Sequence, residues 1–356
     1  MTEYATTTNI YGLDLGDKKS EICVLSAAGE VVEETRIATT REGFMRYFED
    51  REPAIVVLEV GTHSPWVSHL LEDLGYDVIV ANARRVKLIS ANHRKGDQVD
   101  AELLARLGRA DAKLLSPIKH RGKETQSDMA LVRSRAVMVR ARGKLVVSVR
   151  NLAKSQGLRI PSCSTDSFYS RAVVALPDEL RQSLTPILES IKKLTLEIRA
   201  CDKMMATMCE TKYPETSRLM QVQGVGVVTA LTFVLLLEDP NRFPNGRVVG
   251  AYLGLVPRRR QSGDKDPKLG ISKVGDGPMR ALLVQCAHYI LGPFGQDSEL
   301  RRKGMRIVEA GGKGAKKRAV VAVARKLACV LYSLWVSGAR YQHFPSGKPA
   351  LMQEAA

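Results

Sequence analysis

The sequence predicts an α/β domain at the amino terminus, followed by a helical middle and a mainly helical carboxyl-terminal part. Three observations predict this order. Short β-branched runs alternate with amphipathic segments in the first third, apolar residues then recur at helical spacing, and the last third alternates apolar runs with glycine-rich basic loops. We expect domains at residues 1–112, 113–214 and 215–345, with a tail at 346–356.

The first predicted domain opens with a three-strand meander. The stretches "NIYGLDLG" and "SEICVLSAAGEVVEETRI" have strand character, with a turn at Ala28-Gly29 in the second stretch. An amphipathic "REGFMRYFED", the strand "AIVVLEV", a helical "SPWVSHLLEDLG" and the strand "YDVIVAN" follow. This ββαβαβ order, antiparallel first and connected by crossovers later, is typical of a ribonuclease-H-like α/β domain.

The middle region has the spacing of a coiled coil, because its apolar residues recur at alternating steps of four and three. They are Leu180, Leu184, Ile187, Ile191, Leu194, Ile198, Cys201, Met205 and Met208. Pro186 interrupts the pattern, so the helix is expected to start there with Thr185 as N-cap. Two interpretations stay open: a stripe that pairs subunits from Ile187 to Met208, or an ordinary buried helix face.

The third region starts near Glu215. Gly224-Val225-Gly226 lies between two apolar runs, as in a helix-hairpin-helix element, although this spacing alone more often marks a simple turn. A loop rich in Gly, Pro, Arg and Lys follows, and residues 301–326 contain ten basic residues and one acidic residue. A charge run is usually a solvated face, but such one-sidedness favours contact with a phosphate backbone.

The net charge supports a polyanionic partner. The chain has 54 Lys and Arg against 38 Asp and Glu, a formal net charge of +16. Residues 1–110 are acidic by five charges, so the remainder is basic by 21. Six cysteines without CxxC spacing indicate reduced thiols, and the near-apolar run Val227–Leu237 is too short to span a bilayer. We therefore expect a cytoplasmic protein with no membrane partner.

Four acidic residues are candidates for a metal site. Asp14 ends the first predicted strand and Glu59 the fourth, and these strands are neighbours in a ribonuclease-H-like sheet. Asp97 and Asp100, three residues apart on a predicted helix, share one face. Converging carboxylates repel one another unless a cation such as Mg²⁺ binds, and two ions would clamp a phosphodiester. Alternatively, Asp97 is an N-cap and Asp100 a solvated first-turn acid.

The stretch "GLDLGDKKS" also looks like the first phosphate loop of sugar-kinase and actin-like ATPases, which share this core sheet. Those proteins need a second Asp-x-Gly loop after another strand. The other such sequence here, Asp73-Leu74-Gly75, ends a predicted helix. The metal-dependent, nuclease-like interpretation is therefore favoured.

Ser262, in the loop "RRRQSGDK", is a candidate nucleophile. Its basic neighbours in sequence are Arg258, Arg259, Arg260 and Lys265. A hydroxyl that attacks a phosphodiester forms a phosphoserine ester, which keeps the bond energy for rejoining, and arginines stabilise the developing charge. A serine before glycine is normally a turn residue, and Ser272 in "GISKVGD" is an equally good hydroxyl on spacing alone.

Together these features resemble the DEDD transposases of bacterial insertion sequences, the insertion-sequence family numbered one hundred and ten. The resemblance rests on the four carboxylates, the heptad middle and the block "QGVGVVTALTFVLLLEDPNRF…GAYLGLVPRRRQSG…GISKVGDGPMRALL", and it covers nearly the whole chain. It implies a RuvC-like amino-terminal domain, a coiled-coil linker and a carboxyl-terminal transposase domain with a nucleophilic serine.

The resemblance also implies the site and its partners. It places two Mg²⁺ ions on the four acids and the nucleophile at Ser262. It implies a bacterial protein with a structured bridge RNA that pairs with target and donor DNA, and homodimers that assemble into tetramers. The acids of one subunit then meet the serine of another. A longer charged segment before the heptads, "KHRGKETQSDMALVRSRAVMVRARGK", departs from the family and leaves the limits of the RNA-binding surface open.

The basic residues expected to contact nucleic acid lie in three segments. They are Arg133, Arg140, Lys144, Arg258, Arg259, Arg260, Lys265, Lys273, Arg280, Lys316, Lys317 and Arg318. We thus expect a bridge-RNA-guided, Mg²⁺-dependent DNA recombinase. Two alternatives stay open: a Mg²⁺-dependent nuclease of the Holliday-junction type that cuts with activated water, and a non-catalytic nucleic-acid-binding scaffold. A covalent protein–DNA adduct separates the recombinase from both, and metal dependence separates the nuclease from the scaffold.

Overall fold

The computed structural model describes residues 9–82, 97–258, 260–261 and 269–344. The chain divides into two compact units, Met1–Lys123 and Glu124–Ala356. The first unit is a mixed α/β structure and the second is helical. The finer division into three domains and a tail stays a prediction.

A five-stranded mixed sheet forms the centre of the first unit. Its strands are β1 (Ile10–Leu15), β2 (Lys19–Leu25), β3 (Val31–Ala38), β4 (Ile55–Glu59) and β5 (Asp77–Ala81). Their order is β3-β2-β1-β4-β5, with β1, β2 and β3 antiparallel and β4 and β5 added parallel to β1. This is the predicted arrangement, an antiparallel meander continued by crossover connections, and it is consistent with a ribonuclease-H-like fold.

Helices cover both faces of the sheet. α1 (Arg41–Phe48) and α2 (Ser64–Asp73) lie over one face, and α3 (Asp97–Ala110) lies over the other. Successive strand residues point to opposite faces, so Tyr11 packs with the first pair of helices whereas Ile10 packs with α3. Because both faces are buried, β1 and β4 read as nearly continuous apolar runs, and their polar residues stand at the strand ends.

The second unit begins with an antiparallel pair of long helices. α4 (Lys123–Ser155) and α6 (Asp178–Thr211) are joined through the short α5 (Phe168–Ala175). The fully buried positions on α6 keep heptad spacing: Leu184, Leu188, Ile191, Thr195, Ile198, Met205 and Cys209. All buried positions of α4 except Met129 follow the same spacing: Asp128, Val132, Arg142, Val146, Val149 and Ala153. The two stripes face each other within one chain.

Polar side chains fix the register of this helix pair. Arg135 Nε donates to Asp202 Oδ1 at 2.5 Å. The guanidinium of Arg142, which is 6% exposed, donates to Thr195 Oγ1 at 3.2 Å and to Asp166 Oδ1 at 2.7 Å. A slip by one helical turn would leave this buried guanidinium without its partners, which costs several kcal/mol, on the order of 3–5.

The structure corrects one expectation about α6. The helix begins at Asp178 and contains Pro186, because Leu184 and Leu188 on either side of the proline are buried and hold the turn in place. Half of the predicted apolar stripe is buried within the chain and the other half, Ile187, Leu194, Cys201 and Met208, is half-buried, so subunit pairing stays a prediction. The sequence pattern runs through Ile187, whereas the structure buries its neighbour Leu188. The contact face also includes Thr195 and Asp202, and an apolar pattern does not select polar residues.

A charged side chain in this seam is expected to unfold the α4–α6 helix pair rather than to separate subunits. Ile191 is 0% and Ile198 3% exposed, so Ile191→Asp with Ile198→Asp should lower the free energy of unfolding by more than about 3 kcal/mol. Chemical denaturation measures this loss, and Leu196→Asp, at a position 57% exposed on the same helix, is the matched control. A stably folded double variant of lower mass in light scattering would restore the subunit-pairing interpretation.

The remaining helices share one hydrophobic core. α8 (Val227–Leu237) has every residue from 229 to 237 buried, which explains its unbroken apolar sequence. α10 (Gly277–Leu291), α11 (Glu299–Glu309) and α12 (Ala315–Ser337) contribute to the same core. By length and composition α12 could cross a membrane, but half of its apolar window is buried inside this unit, as in the core helix of a soluble protein.

The predicted helix-hairpin-helix element is not confirmed. The helix before Gly224 is α7 (Thr216–Leu219), which has only four residues. Gly224 has φ +88°, and a Cβ there would lie 3.0 Å from Tyr289 Cδ1, so the glycine makes a close turn against α10. The segment therefore connects α7 to the buried α8, and α9 (Gly246–Tyr252) follows.

Candidate active site

Two of the predicted acids stand at the carboxyl ends of neighbouring strands. β1 and β4 pair in parallel, with Leu13 opposite Leu58. Asp14 and Glu59, the next residues on each strand, therefore follow in register at one edge of the sheet. Both side chains are half-buried. The strand-end placement predicted from the sequence is thus what the topology produces.

α3 approaches this edge unusually closely. A Cβ added to Gly12 would lie 2.0 Å from the carbonyl oxygen of Ala101 and 2.7 Å from the amide nitrogen of Ala105. On β4, a Cβ at Gly108 of α3 would meet Val57 Cγ2 at 2.4 Å in the same way. Glycines at these contacts let the helix backbone lie against the sheet, which brings Asp100, in the first turn of α3, towards the strand ends.

Glu59 and Asp100 interact electrostatically at this edge. Burial raises the pKa of the Glu59 carboxyl, and the negative charge of Asp100 raises it further. Asp100 Oδ1 is a buried oxygen with no hydrogen-bond partner. A buried carboxylate oxygen without a donor is costly unless a cation or a proton satisfies it, so this pair fits a divalent ion.

The structure does not assemble all four predicted ligands. Asp97 begins α3, but its side chain lies outside the described residues. Asp14 has an interaction of its own in the structure. Among the residues that are described, no three His, Cys, Asp or Glu side chains stand at metal-ligand spacing. The structure therefore places Asp14 and Glu59 in register on neighbouring strands, the charge of Asp100 acts on Glu59, and the complete ligand set stays a prediction.

Bulk at Gly12 is expected to disturb this edge. Gly12→Val would force α3 away from β1, because the new side chain overlaps the Ala101 carbonyl. We expect at least about tenfold loss of metal-dependent DNA cleavage, together with about 2 kcal/mol of lost stability. Gly61→Val is the matched control, since a Cβ at Gly61 meets nothing within 4 Å. Equal cleavage by both variants would contradict the close-approach argument.

A histidine that the sequence reading missed lies on the loop after β4. His63 Nε2 is 3.5 Å from Asp17 Oδ1, and Trp66 Nε1–H donates to His63 Nδ1 at 3.1 Å. Because the indole can only donate, the neutral imidazole carries its proton on Nε2, towards Asp17. The signal available in the sequence was a histidine four residues after a strand-end acid.

In the second unit two chain segments, the hairpin arms, flank the candidate serine in the sequence. They pair antiparallel: Arg258 N donates to Gly270 O at 2.9 Å and Ser272 N to Val256 O at 2.8 Å. The arms are closed at their base by Gly254, at φ +68°, where a Cβ would lie 2.0 Å from the Val274 carbonyl oxygen. Ser262, Lys265 and Arg259 fall between the arms in the sequence and lie outside the described residues.

Most of the predicted nucleic-acid-binding residues are exposed, and two of the set bind backbone carbonyls. The exposed ones are Arg133, Arg140, Lys144, Arg258, Arg260, Lys273, Lys316, Lys317 and Arg318. Arg280 Nη1 instead donates to the carbonyls of Leu253 and Val274, at 2.9 and 3.0 Å, and so ties the hairpin base to α10. Arg318 donates to the Lys313 and Gly311 carbonyls. Both arginines therefore hold backbone, a role that sequence alone does not distinguish from phosphate contact.

Comparison with known proteins identifies this combination of units. A family model described as Transposase IS116/IS110/IS902 family matches residues 216–299, and a DEDD transposase model of the IS110 group matches residues 11–155. Together the two matches span well over half of the chain. The chain belongs to the IS110 family of insertion-sequence transposases. The first match includes the hairpin arms, and the second includes the whole sheet edge.

Curated relatives extend the similarity beyond these two segments. The transposase for insertion sequence element IS1111A of Coxiella burnetii is 26% identical over 91% of this chain and 89% of its own length. The transposase for insertion sequence element IS1328 of Yersinia enterocolitica is 27% identical over 78% of this chain and 82% of its own. As an IS110-family transposase, the protein is a DNA-cutting enzyme of transposition, and a DEDD transposase domain implies use of a divalent metal.

Proposed function

We propose that this transposase cuts and rejoins DNA through a phosphoserine at Ser262, with Mg²⁺ held by Asp14, Glu59, Asp97 and Asp100. The observation that carries the metal part is the buried, unpartnered Asp100 oxygen beside Glu59. Bound Mg²⁺ would neutralise the carboxylates and polarise a scissile phosphate. The paired hairpin arms support the nucleophile part, because Ser262 follows Arg258, Arg259 and Arg260 in the sequence between them.

In this proposal the hydroxyl of Ser262 forms a bond to phosphorus while the bond to one strand oxygen breaks. The serine proton passes to solvent, and the released strand end takes up a proton as a hydroxyl. Arg258 and Arg260, both exposed and close to Ser262 in the sequence, stabilise the extra negative charge on the phosphate. Reversal of the same step by another strand end rejoins DNA without an external energy source.

We further propose that a bridge RNA selects the DNA and that subunits assemble, so that the acids of one subunit act with the serine of another. The basic balance of residues 111–356 supports a polyanionic partner. Sequencing the RNA that copurifies and aligning it with DNA that flanks the gene tests guidance. RNA unrelated to that flanking DNA would contradict it.

The deciding assay is covalent attachment. Purified protein is incubated with labelled DNA, the copurified RNA and Mg²⁺, then denatured, and label that migrates with protein supports the phosphoserine. Cleavage without such label would instead favour the nuclease that activates water.

A further inference from the structure

The loop between β4 and α2 contains a histidine, His63, that the proposed metal site does not use. His63 is the N-cap residue of α2, but its side chain makes no capping hydrogen bond. Ser, Thr, Asp and Asn are the residues whose side chains stabilise this position, so a histidine here adds little to the helix. Its side chain is 26% exposed, and a ligand can therefore reach it. The imidazole is available for a role other than capping.

The sheet topology places this histidine beyond the strand-end acids. His63 follows Glu59 by four residues, and Asp17 follows Asp14 by three. Because β1 and β4 are parallel neighbours, both loops leave the sheet at its carboxyl edge. His63 Nε2 lies 3.5 Å from Asp17 Oδ1, so the ring stands where the two loops meet. Ligands of α/β sheets bind outside the carboxyl ends of the strands, and a phosphate at the proposed metal site would lie on this side.

Neighbouring groups fix the orientation and the tautomer of the imidazole. Trp66 Nε1–H donates to His63 Nδ1 at 3.1 Å, and the indole packs edge-on against the buried ring of Phe44. Ser64 closes the loop backbone, since its Oγ accepts from Gly61 N at 3.0 Å and donates to Gly61 O at 2.9 Å. With Nδ1 occupied as an acceptor, the neutral ring carries its proton on Nε2. The loop thus presents one N–H donor in a fixed direction.

Asp17 faces this N–H and holds it weakly. Its side chain is 92% exposed, and the 3.5 Å separation is longer than an ordinary hydrogen bond. Contacts with a solvent-exposed carboxylate contribute little to stability, because water competes for the charge. An oxygen of a bound phosphate therefore replaces the Asp17 carboxylate at little cost.

We propose that His63 is a catalytic residue of this transposase, and that its Nε2–H donates to a non-bridging oxygen of the scissile phosphate. In the transition state of phosphoryl transfer, negative charge is spread over these oxygens, and a donor already held in place stabilises that charge. No proton is transferred, since the ring is neutral before and after the step. The proposal rests on the proposed metal site, which would hold the phosphate. It holds equally for attack by serine or by water.

The first test compares two replacements of the histidine. His63→Gln keeps an N–H donor near the position of Nε2, whereas His63→Leu has a similar size and no donor. We expect His63→Leu to slow Mg²⁺-dependent DNA cleavage about a hundredfold, the scale for removing one transition-state donor, and His63→Gln to stay within about tenfold of wild type. DNA binding by both should change by no more than a few fold, because one phosphate contact among many is altered. Equal loss in both variants, or normal cleavage by His63→Leu, would overturn the proposal.

The second test separates this role from folding and from metal binding. His69→Leu, at a half-buried position of α2, is the matched control and should cleave DNA within a few fold of wild type. Mg²⁺ should raise the thermal midpoint of His63→Leu as much as that of wild type. Loss of that rise would make His63 a metal ligand and overturn its assignment as a donor.

Asp100→Asn, measured beside these variants, distinguishes failure of the inference from failure of the proposed metal site. Normal cleavage by Asp100→Asn would remove the metal site and the His63 contact together. Loss of cleavage in Asp100→Asn with normal cleavage in His63→Leu would contradict the His63 contact alone. We expect both variants to lose cleavage, and only Asp100→Asn to lose stabilisation by Mg²⁺.

Discussion

Asp100→Asn is expected to abolish DNA cleavage while making the metal-free protein more stable. Cleavage should fall at least about a thousandfold, the scale for loss of an essential catalytic group. The stability gain follows from Glu59, whose pKa is raised by burial and then by the Asp100 charge. A carboxyl with a raised folded pKa loses stability as pH rises through that pKa, so removing the neighbouring charge should return about 1 kcal/mol at neutral pH.

The matched control is another carboxylate of α3. Glu102 pairs with Arg106 across one helical turn, with Glu102 Oε1 2.7 Å from Arg106 Nε. Glu102→Gln should leave cleavage within a few fold and lower the free energy of unfolding by less than about 1 kcal/mol. Mg²⁺ should raise the thermal midpoint of wild type and of Glu102→Gln but not of Asp100→Asn. Equal stabilisation of all three proteins by Mg²⁺ would exclude Asp100 as a ligand.

The sheet and its edge were predictable because the strand topology brings residues that are distant in sequence next to each other. β-Branched runs and short turns specify the strands, and parallel pairing of β1 with β4 then brings Asp14 beside Glu59. The approach of α3 was not predictable in the same way. It depends on Gly12. A glycine inside a strand indicates that some element approaches closely, but it does not identify that element. The burial of Asp100 therefore came only from the structure.

The helix pair shows a different limit. Heptad spacing of apolar residues predicts a stripe on α6, but two adjacent stripes fit the same spacing, and the sequence alone favours the more apolar one. The true seam includes Thr195, which accepts from Arg142, and Asp202, which accepts from Arg135. A polar residue paired inside a seam looks like a surface residue in the sequence, because its partner is about 50 or more residues away along the chain.

Ser262→Ala is expected to lose covalent DNA attachment and strand exchange while it keeps RNA and DNA binding. The hydroxyl is the atom that becomes bonded to phosphorus, so no adduct can form without it. Ser272→Ala is the control, because Ser272 belongs to a paired hairpin arm, where its amide donates to the Val256 carbonyl at 2.8 Å. Label that migrates with denatured protein measures the adduct. Its persistence in Ser262→Ala, or its loss only in Ser272→Ala, would move the nucleophile elsewhere.

Ser262→Ala and Asp100→Asn together test whether one active site combines residues of two subunits. Ser262→Ala keeps the acids and Asp100→Asn keeps the serine, so each is inactive for a different reason. If acids and serine of different subunits act together, an equal mixture of the two contains sites in which intact acids meet an intact serine. The label should then appear on the Asp100→Asn subunit, which a purification tag of different mass identifies. If each subunit acts alone, no site in the mixture is intact and the mixture stays inactive, because mixing changes only which subunits are neighbours.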